Sequence, residues 1–349
     1  MKYLTDDLRI TGMEEVIAPD ELIAEIPVDD LASRLIFATR KEAADIVHGR
    51  DSRLLVVVGP CSIHDPAAAM EYAGRLAELA QQHRGQLLIV MRVYFEKPRT
   101  TVGWKGLIND PKLNGSYDIN HGLRLARGLL RDIAALGLGC GTEYLDPITP
   151  QYLSDLVSWG AIGARTTESQ IHRQLSSGLS CPIGFKNSTD GQIQVAVDAI
   201  KSAAHSHIFL SVTKQGHSAI FSTAGNEDCH LILRGGGGKT NYDSASVHYA
   251  SRLLEEAGLS RRLMIDMSHA NSEKDHNKQL NVASDICRQI RSGEDRIMGV
   301  MIESNLVSGK QAIGPAEQLA YGQSITDACI DWAATENVLG ELAGAVAGD

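Results

Sequence analysis

The feature that most constrains the fold of this chain is a repeated alternation of a short apolar run, a loop and a helix-like stretch. It begins at residue 53 and continues through the rest of the 349 residues. The runs are continuously apolar, as expected for strands buried on both faces of a parallel sheet. There are eight of them: Leu54–Val58, Leu87–Val93, Leu138–Thr142, Ala161–Ala164, Pro182–Phe185, Leu231–Leu233, Leu263–Ile265 and Ile297–Ile302. Eight strand–helix units predict an α/β fold, the (β/α)8 barrel; a doubly wound open sheet is the alternative, although it usually has fewer strands.

The segments between the runs carry local signals for helices. Asp65 and Pro66 supply an N-cap and a proline at the first helical position, and small apolar residues then recur at a spacing of three to four. A second stretch of this kind runs from Ile119 to Ile133, and Gly137 stands where a helix-terminating glycine belongs. These signals support the barrel prediction.

Two segments do not fit the eightfold repeat, and both are surplus to a barrel of about 250 residues. Residues 1–50 form an N-terminal arm with two amphipathic helical stretches, Pro19–Ile26 and Asp29–Val47. Residues 207–224 have the pattern of a β-hairpin inserted before the sixth strand. We therefore predict an arm (1–50), a barrel (51–349) and a hairpin insertion, and we expect the arm and the hairpin to make oligomer contacts or an effector site.

Composition excludes several classes of protein. The formal net charge is −10 and no basic block is present, so nucleic acid is not an expected partner. The amino terminus has no apolar signal region and no run approaches the ~18 apolar residues of a membrane span, so we expect a cytoplasmic protein with no membrane partner. The six cysteines are spread singly, and reduced thiols are the expectation.

Charged and metal-competent side chains stand at or just after the ends of the eight runs. In a (β/α)8 barrel these ends form the active-site face. Any one of these side chains alone is more often a solvated charge, so it is the shared position that indicates a site. We expect seven cationic side chains to converge on this mouth, which is enough to bind more than one phosphate or carboxylate group. They are Arg92, Lys97, Arg99, Lys105, Arg165, Lys186 and Arg234.

Four further residues at the strand ends are candidate metal ligands. Cys61, His269, Glu303 and Asp327 follow the first, seventh and eighth runs, and the first and eighth strands are neighbours in a closed barrel. One thiolate, one imidazole and two carboxylates form a mixed soft and hard donor set. Such a set accepts one divalent ion, Mn, Fe, Co or Zn, with little discrimination, whereas a lone cysteine is usually a small buried hydrophobe.

Six segments together resemble the type I, microbial 3-deoxy-D-arabino-heptulosonate 7-phosphate (DAHP) synthases. They are Gly59–Asp65, Tyr94–Gly106, Trp159–Gln170, Gly184–Asn187, Asp266–Asn271 and Ser324–Cys329. The resemblance implies a metal-dependent transferase that condenses phosphoenolpyruvate with erythrose 4-phosphate, the first step of the shikimate pathway to aromatic amino acids. A 3-deoxy-octulosonate 8-phosphate synthase and a non-catalytic metabolite-binding barrel are the alternatives, although the former lacks the Lys97–Thr100 segment.

The resemblance also assigns roles. It implies that Cys61, His269 and Asp327 take part in catalysis as metal ligands, with Glu303 as the fourth ligand, and that Lys97 acts on the aldehyde. Erythrose 4-phosphate would contact Lys97, Pro98, Arg99 and Thr100. Phosphoenolpyruvate would contact Arg92, Lys105, Glu143, Gly163, Ala164, Arg165, Lys186 and Arg234.

Relatives in this family are inhibited by Phe, Tyr or Trp, so the resemblance implies an effector pocket here, and we expect a homodimer or homotetramer. The matching positions are Asp7, Pro150, Gln151, Leu175, Leu179, Ser180, Phe209, Ser211 and Phe221. The segments around Leu179 and Phe209 resemble the Phe-sensitive type most, which favours Phe as effector. Phe221 departs from that type, which has a smaller aliphatic residue there.

Overall fold

The computed structural model describes residue 3 and residues 5–99 and 101–348. Within that part of the chain, twelve strands follow one another: β1 (Leu54–Gly59), β2 (Leu87–Arg92), β3 (Gly139–Glu143), β4 (Trp159–Ile162), β5 (Ile183–Lys186), β6 (Ile208–Val212), β7 (Ser218–Ser222), β8 (Cys229–Leu233), β9 (Leu263–Asp266), β10 (Ile297–Glu303), β11 (Val307–Lys310) and β12 (Gln323–Ser324). Eight of them close into a parallel barrel in the order β1-β10-β9-β8-β5-β4-β3-β2. The predicted (β/α)8 barrel is confirmed.

Ten α-helices alternate with these strands in the same described residues. They are α1 (Pro19–Glu25), α2 (Asp30–Val47), α3 (Pro66–Gln82), α4 (Ile119–Ala135), α5 (Pro150–Leu153), α6 (Gln170–Ser176), α7 (Gln194–Ala203), α8 (Ser244–Glu256), α9 (Lys278–Arg291) and α10 (Trp332–Ala347). The predicted start of α3 is confirmed, because the Asp65 carboxylate accepts hydrogen bonds from the Ala67 and Ala68 amides. None of the described helices is long and apolar enough to cross a membrane.

The barrel strands are apolar throughout because both of their faces are buried, one inside the barrel and the other against the surrounding helices. Along β1, Leu55 and Val57 pack with residues inside the barrel, whereas Leu54, Val56 and Val58 pack in the layer that includes the surrounding helices. Successive side chains of a strand point to opposite faces, so burial on both faces leaves no polar alternation. This is why the runs were visible in the sequence.

Two strands differ from the predicted bounds by two residues. We predicted β4 at Ala161–Ala164 and the sixth barrel strand at Leu231–Leu233, but β4 begins at Trp159 and β8 at Cys229. Inside the barrel the Trp159 indole nitrogen donates a hydrogen bond to His230 Nε2 at 3.2 Å. This buried pair lets a polar residue occupy the barrel interior, which apolar patterning alone does not anticipate.

The predicted arm and hairpin are both present as secondary structure. Helices α1 and α2 precede the barrel, and β6 pairs antiparallel with β7 so that Phe209 lies opposite Phe221. The Asp20 amide, at the start of α1, donates to the Lys214 carbonyl in the hairpin turn at 2.8 Å. The arm and the hairpin therefore touch each other on one side of the barrel.

Candidate active site

A cavity of about 440 Å³ lies at the carboxyl ends of the barrel strands. Nine of the twelve residues predicted to bind substrate line it: Lys97, Pro98, Arg99, Glu143, Gly163, Ala164, Arg165, Lys186 and Arg234. Of the remaining three, Arg92 is buried, Lys105 is exposed without lining the cavity, and Thr100 lies outside the described residues. The strand ends therefore meet at one mouth, as the barrel prediction requires.

The cavity also has walls that the sequence did not reveal. These are Thr189, Ser272, Lys274, His276, Lys310, Thr326 and Ala328. Most of them lie several residues beyond the end of a barrel strand, on loops whose path no local pattern predicts. Reading the residues next to the strand ends could not have found them.

Three of the four predicted metal ligands form a compact group. One ligand atom each from Cys61, Glu303 and Asp327 lies within 4.8 Å of the others, and Cys61 Sγ is 3.5 Å from Asp327 Oδ2. The fourth, His269, lies just outside this group, with its Nε2 3.8 Å from Glu303 Oε1. A thiol, an imidazole and two carboxylates fit a borderline divalent cation.

The orientation of the His269 imidazole is set by contacts to its Nδ1 atom. Its Nδ1 lies 2.8 Å from Asp266 Oδ2 and 2.7 Å from the Ser268 hydroxyl, so Nε2 is left facing Glu303. Burial favours the neutral form of Asp266, but His269 and Lys186 outweigh it and hold the pKa of this carboxyl well below its usual range. A carboxylate behind a histidine fixes the tautomer and raises the basicity of the free nitrogen.

Arg92 connects the end of β2 to the candidate metal ligands. Its guanidinium donates to the carbonyls of Pro60 and Cys61 at 3.1 Å and to Glu303 Oε1 at 3.0 Å. It also stacks over the Tyr94 ring, with 3.6 Å between the guanidinium carbon and the ring centroid. Although burial disfavours its charge, Tyr94 and Glu303 raise the pKa of Arg92. In this structure Arg92 fixes the positions of two candidate ligands.

Lys97 lies directly against the cysteine. Its Nζ is 3.2 Å from both the sulfur and the carbonyl oxygen of Cys61. Burial, followed by the Glu303 carboxylate, raises the pKa of the Cys61 thiol to about 11 although Lys97 opposes this shift. Lys97, which lines the cavity, thus lies directly against the buried Cys61 thiol.

Arg165 and Arg234 both line the cavity and lie near each other. Burial lowers the pKa of Arg234, and the nearby positive charge of Arg165 contributes to that shift although Asp266 opposes it. The Arg234 backbone amide is anchored by the Asn187 side chain at 2.9 Å. Two adjacent guanidinium groups of this kind are suited to a dianion such as a phosphate.

A second cavity, of about 580 Å³, lies between the hairpin and the outside of the barrel. It is lined by eight of the nine predicted effector residues: Pro150, Gln151, Leu175, Leu179, Ser180, Phe209, Ser211 and Phe221. The ninth, Asp7, is an exposed residue of the arm and does not line it. The sequence missed several walls of this cavity, including Arg40, Asp155 and Lys214.

Comparison with known proteins gives one consistent result. Residues 28–340 match the DAHP synthetase I family. The chain is 58% identical over 346 residues to the Phe-sensitive phospho-2-dehydro-3-deoxyheptonate aldolase of Escherichia coli K12, covering 99% of each, and 52% identical over 342 residues to the Trp-sensitive enzyme, covering 98% of each. The chain also superposes on the solved structure of the phospho-2-dehydro-3-deoxyheptonate aldolase from Francisella tularensis. The TM-score is 0.95 at 55% identity, and the match covers 97% of this chain and 99% of that chain.

Proposed function

The chain belongs to the DAHP synthetase I family, and on that premise we propose how its barrel mouth carries out the condensation of phosphoenolpyruvate with erythrose 4-phosphate and water. The products are 3-deoxy-D-arabino-heptulosonate 7-phosphate and phosphate, and the reaction opens the shikimate pathway. The observation that carries the proposal is a cation-lined cavity directly beside the Cys61, Glu303 and Asp327 group.

The cations match the anionic groups of the two substrates. Arg165 and Arg234 bind the phosphate of phosphoenolpyruvate, and Lys186 binds its carboxylate on the buried side of the cavity. The buried Arg92 guanidinium contributes to the same site for the substrate carboxylate while it donates a hydrogen bond to the Glu303 side chain. The phosphate of erythrose 4-phosphate is bound by Arg99 on the β2 side, where Pro98 and Lys97 form the adjoining wall. This arrangement brings the enol carbon and the aldehyde carbon together.

The family implies a divalent metal, and the residues present fit one. Cys61, His269, Glu303 and Asp327 would hold it, with Asp266 orienting His269 from behind. When bound there, a divalent cation supplies the Lewis acidity that polarises the aldehyde. The donor set is compatible with Mn, Fe, Co or Zn.

Lys97 moves the proton in the bond-forming step. As C3 of phosphoenolpyruvate bonds to the aldehyde carbon, negative charge develops on the aldehyde oxygen, and Lys97 Nζ donates a proton to it. Lys97 is suited to this role because, although burial opposes its charge, Cys61 and Glu303 raise its pKa and keep it protonated. Water then adds to the cationic C2, and the C–O bond to phosphate breaks.

The hairpin cavity is the place for the aromatic amino acid that regulates the family. Its floor is formed by the Phe209 and Phe221 rings, whose centroids are 6.2 Å apart. An aromatic effector would extend this stack. The Phe-sensitive E. coli relative favours Phe, and the larger ring at Phe221 would reshape the pocket relative to that type.

A homo-oligomer is supported by apolar surfaces on the arm and the hairpin. Ile208, Leu210 and Ile220 on the outer face of the hairpin are 71–81% exposed, and Leu8 and Met13 of the arm are also exposed. Apolar patches of this kind are covered in oligomers. An arm that crosses to a neighbouring subunit would bring Asp7 to the neighbour's effector cavity, which explains why Asp7 does not line the cavity of its own chain.

A phosphate-release assay tests the proposed reaction. The enzyme is mixed with phosphoenolpyruvate, a divalent metal and either erythrose 4-phosphate or arabinose 5-phosphate, and inorganic phosphate is measured with time. We expect release with erythrose 4-phosphate only, and its loss when the metal is chelated. The proposal would be overturned if phosphate were released with arabinose 5-phosphate but not with erythrose 4-phosphate. It would also be overturned if phosphate were released with neither sugar.

A further inference from the structure

Two lysines at the mouth of the active-site cavity have no role in the reaction as described above. Lys274 follows β9 and Lys310 ends β11, and both side chains line the cavity. In the part of the chain that the structure describes, neither ammonium group has a hydrogen-bond acceptor or an acidic partner within ion-pairing distance. Two unpaired ammonium groups are repelled by each other and by the other cations that line the cavity. An anionic ligand that binds there would offset this repulsion.

The backbone around Lys274, which lines the cavity, includes several residues in an unfavourable conformation. His269, Glu273 and Lys274 all have left-handed backbone angles, with φ of 56°, 53° and 66°. The Lys274 amide donates to the His269 carbonyl at 2.9 Å, which ties the lysine to a candidate metal ligand. Left-handed non-glycine residues cost free energy and persist mainly where a site requires them.

The acid next to Lys274 is directed away from it. Glu273 pairs with Lys278, with 2.5 Å between its carboxylate oxygen and Lys278 Nζ. An exposed carboxylate one residue away would otherwise neutralise Lys274 in part. Because Glu273 pairs with Lys278, it does not pair with Lys274 in this structure.

The backbone on both sides of Lys310 is also held by hydrogen bonds. It lies opposite Ser324 in the small sheet of β11 and β12. On one side Gly309 and Cys329 exchange two backbone hydrogen bonds, at 2.8 and 3.1 Å, and on the other the Gln311 amide donates to the Ser324 carbonyl at 2.8 Å. The Lys310 backbone is thus fixed next to the segment that carries Asp327.

We propose that Lys274 and Lys310 form an outer anion subsite that binds the phosphate groups of the substrates as they enter and inorganic phosphate as it leaves. The proposal rests on the proposed function. Arg165, Arg234, Lys186 and Arg99 already account for the two phosphates and one carboxylate in the reacting complex. The two lysines are exposed residues of the cavity lining that these groups do not require, so they act on the substrates before chemistry and on the product after it.

The test is the kinetics of K274Q, K310Q and the double variant of the metal-loaded enzyme. We expect KM for phosphoenolpyruvate or erythrose 4-phosphate to rise about three- to tenfold per lysine, the range for a charge near a dianion at moderate salt. The inhibition constant of inorganic phosphate should rise similarly, with kcat within about twofold of its original value. K201Q, an exposed lysine of α7 outside the cavity lining, is the matched control and should leave KM unchanged.

Two results would overturn the subsite. One is a double variant with unchanged KM values and unchanged inhibition by phosphate; the other is a loss of kcat at saturating substrate without a change in KM. Calorimetric titration of the metal-loaded enzyme with inorganic phosphate tests the subsite without turnover, because binding should weaken in the double variant. Absence of phosphate release by the unaltered enzyme would contradict the proposed function instead.

Discussion

Asp266 controls two neighbours at once, because its carboxylate lies 2.8 Å from both Lys186 Nζ and His269 Nδ1. His269 and Lys186 together more than offset the effect of burial and hold the pKa of the Asp266 carboxyl well below its usual range. The same carboxylate therefore links a proposed substrate-binding lysine to a proposed metal ligand. At this scale, the site depends on residues that touch neither substrate nor metal.

Cys61→Ala should remove tightly bound metal together with activity. Loss of a ligand should weaken metal affinity by more than about 100-fold, because loss of a residue behind a ligand already costs about 10- to 100-fold. Metal content after dialysis, measured by mass spectrometry, gives a readout apart from turnover. Cys140→Ala is the matched control, since Cys140 is buried in the core away from the cluster. A Cys61→Ala enzyme that keeps stoichiometric metal would contradict the assignment.

Glu96 gives a prediction of pH dependence. Its side chain is buried and accepts a hydrogen bond from the Thr149 hydroxyl at 3.1 Å. Burial, with the Asp146 carboxylate adding to it, raises the pKa of Glu96 from 4.5 to about 7. Because the folded-state pKa is the higher one, its contribution to stability is complete below pH 4.5 and is lost as the pH rises through 7.

Replacement of Glu96 by Gln should remove this pH dependence and keep the acceptor for Thr149. The free energy of unfolding of the original protein, relative to that of Glu96→Gln, should fall by about 3 kcal/mol between about pH 4.5 and pH 8. Denaturant midpoints of both proteins at several pH values measure it. Parallel curves for the two proteins would show that folding does not raise the pKa of Glu96.

At the scale of elements, the ends of β3 and β4 form one wall of the site with almost no free space. A Cβ atom added at Gly163, just after β4, would lie 2.2 Å from Glu143 Oε1 at the end of β3. Gly163 therefore allows Glu143 to face the cavity. This is the physical reason why the loop that follows β4 begins with a residue lacking a side chain.

Gly163→Ala should reduce kcat/KM by about 100-fold, because the added Cβ displaces the Glu143 carboxylate from its position at the cavity. The comparison is Gly74→Ala, in the middle of α3, where an added Cβ meets nothing within 4 Å. That variant should keep full activity and gain about 0.5–1 kcal/mol in stability. Similar kinetics for the two alanine variants would rule out the proposed packing role.

At the scale of the whole molecule, the active-site cavity and the hairpin cavity are lined by different residues, and the N-terminal arm contacts the hairpin. Residues 15–17 of the arm are tied to α4, because Asn120 bonds to the Glu15 carbonyl at 3.1 Å and to the Ile17 amide at 2.8 Å. The described residues before this anchor are exposed in the single chain. They are therefore available to contact a neighbouring subunit.

Deletion of residues 1–15 should relieve inhibition by the aromatic amino acid and leave kcat largely intact, since the barrel mouth does not include the arm. Asp7→Ala should have the same effect if Asp7 completes the effector cavity of a neighbour, whereas Asp6→Ala serves as the matched control. Dose–response curves with Phe, Tyr and Trp, together with the molar mass in solution, measure the outcome. A shortened enzyme that is still fully inhibited would refute this division of labour.

The barrel and most of the cavity wall could be predicted from the sequence, because both follow from local rules. A run of residues buried on both faces is apolar at every position, as along β1, and parallel strands place their carboxyl ends on one edge. Residues adjacent to those ends, such as Glu143, Arg165 and Lys186, therefore had to meet at one mouth.

Only the tertiary structure decided which groups touch. The buried Trp159–His230 pair, the Lys186–Asp266 ion pair, the burial of Glu96 and the placing of Lys274 and Lys310 at the cavity all depend on contacts between residues far apart in the chain or on the path of long loops. Such contacts leave no periodic trace in the sequence, because hydrogen bonds and burial are set by three-dimensional neighbours. The sequence by itself determined the barrel and its candidate chemistry, while packing determined the charges and geometry with which that chemistry operates.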